Sequence, residues 1–494
     1  MSEAPNETDL SAPIQPMSLG DAERSGWDDE VDVVVVGLGA AGAAATIAAA
    51  EAGATVIALE RGASGGGTSA MSGGILYLGG GTSTQIGAGV QDDPVLMLAF
   101  LSEALGRPTT DQKLATYCAD SVDHHDWLVH HGVPFRADFW PEPGMEPPGT
   151  EGLVYSGGED TAPYADHIHP AARGHVPATP NAAGGFLMEC LLAAVASTSA
   201  RVLTDARAQR LVVDGTGRVH GVAARVDGVG TLVRARGGVV LAAGGWAYND
   251  ALVDQYVPQV NRVTWKLGTD HDDGWGLRSC QALGAAIEGM DVAEVALPIT
   301  PPRSMVRGVL VDRHGRRFIN EDTYFGHVGQ AALMEHDGEV YLLFDEPRYE
   351  VNRVGMRAGW VAADWDELGE ELGMPPGALV ATMAAYNDAA ARGEDPEHGK
   401  RPEWLVPLVD GPFGAIDLRV GTSIYAGFPL GGVVTTADGE VVRDDGSTVP
   451  GVYAVGRVAS SLALERYCSG ISLGEGTFFG RRAATAAARA STTG

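Results

Sequence analysis

The sequence predicts an α/β fold organised around a Rossmann-like, dinucleotide-binding sheet with a second unit inserted into it. Three observations carry this expectation. Residues 31–60, VDVVVVGLGAAGAAATIAAAEAGATVIALE, join a buried-strand run to a glycine turn, an alanine-rich helix and a second apolar strand. Two later runs, 239–245 (VVLAAGG) and 451–457 (GVYAVGR), are again apolar strands that end in small residues. From about 296 to 412 the texture changes to longer helical patterns, which reads as an inserted cap.

Each part of the first run has a physical job. Gly37 permits the sharp strand-to-helix turn. Gly39 removes the side chain that would hold a pyrophosphate off the backbone, and Gly42 lets the helix approach the sheet. Ala40 and Ala41 open the helix, whose free N–H groups and positive dipole end suit phosphate. Glu60 falls 18 residues after Gly42, where its carboxylate can accept hydrogen bonds from a ribose diol. A second glycine cluster follows at 61–74, RGASGGGTSAMSGG. Its Arg61, Gly67, Thr68, Ser69, Met71, Ser72, Gly73 and Gly74 can set backbone amides and small hydroxyls against pyrophosphate and flavin. FAD therefore fits this chain better than NAD.

The remaining elements follow in order. Residues 111–133 read as one amphipathic helix. Residues 140–185 are rich in glycine and proline without a period, as expected of a wall of the site. Strands joined by the turn 214–217 (DGTG) occupy 201–226, and the strand 200–207 is expected to meet the adenine end of the cofactor. Helices are expected at 364–372, 378–392 and 476–491. The domain limits that result are a flexible N-terminal arm at 1–26, a first FAD-binding segment at 27–295, the cap at 296–412 and a second FAD-binding segment at 413–494.

Composition narrows the function. The chain has 494 residues and a formal net charge of −30. The acid excess is spread along it, which argues against nucleic acid or an anionic membrane as a partner. Cys118, Cys190, Cys280 and Cys468 are far apart with no CxxC pattern, so reduced thiols and a cytoplasmic location are expected. Residues 1–26 lack the basic and apolar regions of a secretory leader, and no apolar run approaches a membrane span.

Several segments carry a family resemblance: 73–82 (GGILYLGGGT), 155–164 (YSGGEDTAPY), 173–177 (RGHVP), 321–330 (EDTYFGHVGQ) and 467–483 (YCSGISLGEGTFFGRRA). With the four glycine-rich elements, they make the chain resemble the FAD-dependent flavoproteins that comprise fumarate reductases, succinate dehydrogenases and 3-ketosteroid dehydrogenases. Within that family it is most similar to the 3-ketosteroid Δ4-(5α)-dehydrogenase branch. The resemblance implies a glutathione-reductase-type FAD-binding domain with an inserted α+β substrate-capping domain. It implies further cofactor contacts at Ala208, Ala243, Gly244, Gly274, Gly456, Arg457, Gly470, Ser472 and Leu473. FAD should be held non-covalently, because Gly67 stands where flavin-linked relatives have histidine.

The family moves a hydride between a substrate carbon and flavin N5 and a proton at the neighbouring carbon. Fumarate reductases supply an arginine in an NExxxR run, where this chain has Phe325 at the end of 320–325 (NEDTYF). They hold a substrate carboxylate with the arginine of an RLG tripeptide, where this chain has Ser472-Leu473-Gly474. With both charged clamps missing, the substrate should be neutral and apolar. The resemblance instead implies a catalytic trio: Tyr467 for proton transfer, Ser469 as its hydrogen-bond partner, and Tyr324 as an orienting or second relay residue. A tyrosine can take a proton only if its pKa is lowered from about 10. Glu465-Arg466 stand where small residues are expected. They could pair at the rim, lower the pKa of Tyr467, or narrow the pocket.

Other clusters point to structure rather than chemistry. His124-His125, His130-His131, His167, His169 and His175 lack carboxylate or cysteine partners at metal-ligand spacing. Cys468 reads as a packing residue. Three readings follow. The first is a 3-ketosteroid Δ4-(5α)-dehydrogenase, acting on a steroid-like substrate with an external electron acceptor. The second is an ene-reductase or Δ1-type dehydrogenase on another cyclic enone. The third is a flavin-binding protein without turnover, which would bind ketones without bleaching.

Overall fold

The computed structural model describes residues 10–141, 147–300, 302–351 and 356–493. The strand Asp29–Val36 is a buried valine run, as a strand covered on both faces must be. It belongs to a nine-stranded sheet. On one side it pairs in parallel with Val56–Leu59, which in turn holds Arg201–Leu203. On the other side lies Val229–Leu241, a strand with three partners. Its first half pairs antiparallel with Val219–Val226. From Val233 on it runs parallel to Asp29–Val36, with a register break between Ala235 and Gly238, and over Val239–Leu241 it also runs parallel to Thr448–Ala454. The carboxyl ends of these parallel strands share one edge, the place where open α/β sheets hold ligands.

Two helices lie against each other over this edge, Ala40–Glu51 and the C-terminal Ile471–Thr493. Small residues let them meet. A Cβ on Gly480 would strike the carbonyl oxygen of Ala41, and one on Gly476 would come within 3.5 Å of the Ala41 side chain, whereas Gly42 instead clears the carbonyl of Gly37 in the turn before its own helix. The final helix starts at Ile471, five residues before its expected start.

The inserted unit has its own four-stranded antiparallel sheet, in the order Val309–Asp312, Val340–Asp345, Phe413–Asp417, Ala358–Ala362. Helices Trp365–Glu371 and Ala378–Ala390 pack on it through Leu368, Leu379 and Met383. Because Phe413–Asp417 is a strand of this sheet, the limit expected at 412 cuts through it.

Two other expectations change. Residues 111–133 form two helices, Gln112–Ala119 and Ser121–His130, with Asp120 between them. The N-terminal stretch is not a free arm over its described part. Met17–Ser18 adds a parallel strand beside Val212–Val213, Leu19–Ser25 is a helix capped by Ser18, and Arg210 and Arg278 donate to backbone carbonyls of Gln15, Pro16 and Ala12. Unpaired main-chain groups at a sheet edge reward such a polar segment without any apolar signal. Residues 1–9 lie outside the described part. Among the described residues, no helix is long and apolar enough to cross a membrane.

The helix contact yields a stability prediction. Gly480→Ala should lower unfolding free energy by about 1–3 kcal/mol, the usual cost of overpacking. Gly215→Ala, whose added Cβ meets nothing within 4 Å, should stay within about 0.5 kcal/mol. Urea denaturation of both variants checks this, and equal midpoints would contradict it.

Candidate active site

A cavity of about 920 Å³ follows the carboxyl edge of the sheet and runs on beneath the cap. That is near the upper end of the roughly 300–1,000 Å³ seen for ligand pockets. One end is lined by Ala206, Arg207 and Ala208. The middle is lined by the glycine turn and the 67–74 cluster. The far end is lined by Glu294, Ala296, Tyr324, Phe325, Phe428, Tyr467 and Ser469.

The middle is built as a cradle. Gly37 has φ +94°, and a side chain there would collide with the backbone of Ala242. Gly39 caps the helix without a side-chain acceptor, so the helix end is left to face the cavity. A Cβ on Gly39 would press on Ser69 Oγ at 3.3 Å, while that hydroxyl accepts from Ala40 N at 3.1 Å. Glu60 is positioned by backbone donors: Leu38 N reaches one carboxylate oxygen at 2.8 Å and Gly62 N the other at 2.7 Å. These residues fit a dinucleotide with a pyrophosphate at the helix end.

The structure brings Gly37, Gly39, Ala40, Ala41, Glu60, Arg61, Gly67, Thr68, Ser69, Met71 and Ser72 to the cavity wall. Gly73, Gly74, Ala208, Ala243, Gly244, Gly456, Arg457, Gly470, Ser472 and Leu473 line it as well. Gly42 does not; it lies where the helix crosses the sheet. Gly274 does not either. It sits in a turn with φ +75°, donates to Gly245 O, and packs on Leu252 and Trp246.

Sequence reasoning missed two acids. Asp272, 3% exposed, accepts from Thr68 Oγ1 at 3.0 Å, Gly245 N at 3.0 Å and Arg457 Nη2 at 2.6 Å. It ties three separate cradle segments together and neutralises Arg457. The acidic run before Gly274 (270–274, DHDDG) was the available signal. Glu294 carried none, because a single acid in an apolar strand has no pattern.

The far end is held by buried charges and hydrogen bonds. Glu321 is fully enclosed. Arg317 and Lys400 both reach its Oε2 at 3.1 Å, and Leu310 N reaches Oε1 at 2.9 Å. The next residue, Asp322, pairs with Arg401 at 2.9 Å, and Arg401 also pairs with Asp160 at 2.6 Å. Tyr324, two residues on, is thereby fixed over the cavity. His327 donates from Nε2 to Tyr467 O at 3.0 Å, so the cap also grips the loop that carries the second tyrosine. Burial holds that imidazole neutral, its pKa down to about 3.

Tyr324 donates from its phenol to Glu294 Oε1 at 3.1 Å and has the Ser469 hydroxyl as a second hydrogen-bonding neighbour. Tyr467 Oη accepts from Ser472 N at 3.2 Å, and its ring meets Phe428 edge-on. Burial raises the pKa of both tyrosines, and Glu294 adds to the rise at each. The expected lowering of the Tyr467 pKa by Arg466 does not occur. Arg466 faces Tyr164 and His327 instead. Neither Glu465 nor Arg466 lines the cavity, so they do not narrow it. Glu465 is exposed and packs on Gly106.

Phe325 is part of the wall at this end, and Arg457, which lies over the Phe428 ring, is paired with Asp272. Cys468 is buried against Gly157. His124 bonds Thr477, His125 Thr84, and His175 Thr82 and Arg173 O, while His125, His131 and His167 each also have a single carboxylate partner, Asp126, Glu51 and Glu103.

Comparison with known proteins agrees with this geometry. Residues 32–473 match the model of the FAD binding domain family. The crystal structure of 3-ketosteroid-Δ4-(5α)-dehydrogenase from Rhodococcus jostii RHA1, in complex with 4-androstene-3,17-dione, is 42% identical and superposes with a TM-score of 0.91. It covers 96% of this chain and 100% of its own. The 3-oxo-5-alpha-steroid 4-dehydrogenase of Comamonas testosteroni is 28% identical over 89% of this chain and 95% of its own length. The NADH:fumarate oxidoreductase of Klebsiella pneumoniae is 27% identical over 95% of this chain but 49% of its own length.

The cradle predicts that the protein purifies yellow and that acid releases free FAD into the supernatant. Gly39→Val should give nearly colourless, folded protein. A parent whose flavin stays with the denatured chain, or a variant with full flavin absorbance, would contradict this account of the turn.

Proposed function

The chain belongs to the FAD binding domain family, among the flavoproteins that include fumarate reductases and 3-ketosteroid dehydrogenases, and on that premise we propose what it oxidises. It is an FAD-dependent oxidoreductase of CH–CH bonds. Its substrate is a neutral cyclic ketone, a 3-ketosteroid desaturated across C4–C5. The observation that carries this reading is the far end of the cavity, where Tyr324, Tyr467 and Ser469 stand together and Arg457, over the Phe428 ring, is already paired with Asp272. A dicarboxylate would leave its charge unpaired there. A flat, apolar ring system meets Phe325, Phe428 and Ala296.

Bound FAD supplies the hydride acceptor at N5. The chain's own residues handle the ketone and the α proton. Burial keeps Tyr467 a neutral phenol, so its part is to donate a hydrogen bond to the ketone oxygen. That bond strengthens as negative charge builds on the oxygen and acidifies the α carbon. The Ser469 hydroxyl then takes the α proton as it passes its own to the oxygen of the neighbouring Tyr324, whose phenol proton is in turn directed at Glu294. The wall of half-buried Phe325 and buried Phe428 limits water at the site and strengthens these interactions. The same reading places the enzyme in the cytoplasm, supported by four cysteines of which none forms a disulfide.

Two outcomes test the reading. Tyr467→Phe should keep FAD and bind steroid but reduce its flavin about 10²–10³-fold more slowly, the cost of one lost oxyanion donor. Anaerobic stopped-flow with 5α-androstane-3,17-dione measures this, and an unchanged rate would make the tyrosine only a wall. Fumarate should be reduced by the dithionite-reduced protein far more slowly than steroid is oxidised, and comparable rates would refute a neutral substrate.

A further inference from the structure

The α proton must end on something, and neither tyrosine serves as its final holder, since burial raises the pKa of both. Glu294 stands directly behind Tyr324. It occupies the middle of the buried strand Ala293–Ala296, where an apolar residue would ordinarily sit. Its Oε1 accepts the Tyr324 phenol at 3.1 Å, while its Oε2 is buried with no hydrogen-bond partner. A carboxyl left half-satisfied in an apolar strand costs free energy. Gly326 is shaped around the pair: a Cβ there would collide with the Tyr324 ring and come within 2.7 Å of Glu294 Oε1.

We propose that Glu294 accepts the substrate's α proton through Ser469 and Tyr324, as a positioning and proton-storing residue behind the trio. This rests on the ketone-desaturase reading above. In the step, the α C–H bond breaks and its proton passes to the Ser469 oxygen. The Ser469 hydroxyl proton passes to the Tyr324 oxygen, and the Tyr324 proton passes to Glu294, which becomes a carboxylic acid. The β hydrogen leaves with its electron pair to the flavin. The substrate thus loses one proton and one hydride, and two electrons reach the cofactor.

The surroundings set the direction of the pH dependence. Tyr324 faces Glu294 from the N-cap of the helix Phe325–Gln330, and Tyr467 and Cys468 from the C-terminal loop. The paired strand Ala426–Pro429 offers no titratable side chain. None of these groups is a cation at neutral pH. Burial raises the Glu294 pKa to about 8, so the accepting carboxylate grows as pH rises through that value. Flavin reduction by the ketone should accelerate over the same range.

The test is anaerobic reduction of the FAD-loaded enzyme by 5α-androstane-3,17-dione from pH 6 to 10, in the parent and in Glu294→Gln and Glu294→Asp. The parent should show a rising limb near pH 8. Glu294→Gln should bind 4-androstene-3,17-dione within about threefold of the parent, reduce its flavin about 10²-fold more slowly, and lose the limb. Glu294→Asp should keep a limb at reduced rate. A Glu294→Gln variant within threefold of the parent rate and with the same profile overturns the proposal. So does a parent whose rate is flat with pH, which needs no variant to fold. A parent whose flavin no ketone reduces instead refutes the desaturase reading itself, and this inference with it.

Discussion

The site depends on the close approach of two helices, Ala40–Glu51 and Ile471–Thr493. Each delivers one half of the chemistry from its N-terminal end. The first begins at Gly39 and aims its dipole at the cofactor cradle. The second begins just after the loop that carries Tyr467 and Ser469. Gly480 leaves room for the backbone of the second helix to lie against Ala41 of the first, and Gly42 lets the first helix lie close to its own glycine turn and to Ala242. Larger residues would push the helices apart and separate the cradle from the reacting end. The alanine-rich composition near residue 45 is therefore a packing requirement with a functional consequence.

The cap solves a different problem. Tyr324, at the N-cap of the helix Phe325–Gln330, must hang over the cavity yet hold its position closely. Buried ion pairs do this: Glu321 between Arg317 and Lys400, and Arg401 bridging Asp322 to Asp160. Such pairs add little net stability, but removing one partner costs about 3–5 kcal/mol because a charge is left stranded. They fix geometry more than they stabilise the fold. Asp272 does the same for the cradle by joining Thr68, Gly245 and Arg457.

What could be read from the sequence follows from what is local. The valine run, the glycine turn and Glu60 are specified by spacing, and they lie where spacing put them. Phe325 and Ser472 were visible because a motif supplied places to look. Gly274 misled because a glycine beside acids serves a turn as readily as a ligand. Asp272 and Glu294 stayed hidden because their roles come from partners far away in the chain, Thr68 and Arg457 for one and Tyr324 for the other. The break at Asp120 and the strand Phe413–Asp417 were missed for the same reason, since tertiary pairing overrides local period. The direction of the tyrosine pKa values also needed burial, which no motif encodes.

On the proposed reading, these features make a reaction chamber set against a flavin cradle, in which neutral hydroxyls backed by Glu294 meet a ketone. The most direct measurement of that claim is a single anaerobic turnover with 5α-androstane-3,17-dione, following flavin absorbance and identifying the steroid product. The account predicts bleaching of the flavin with one equivalent of 4-androstene-3,17-dione formed. A bound steroid that leaves the flavin oxidised, or a double bond placed at C1–C2, would contradict it.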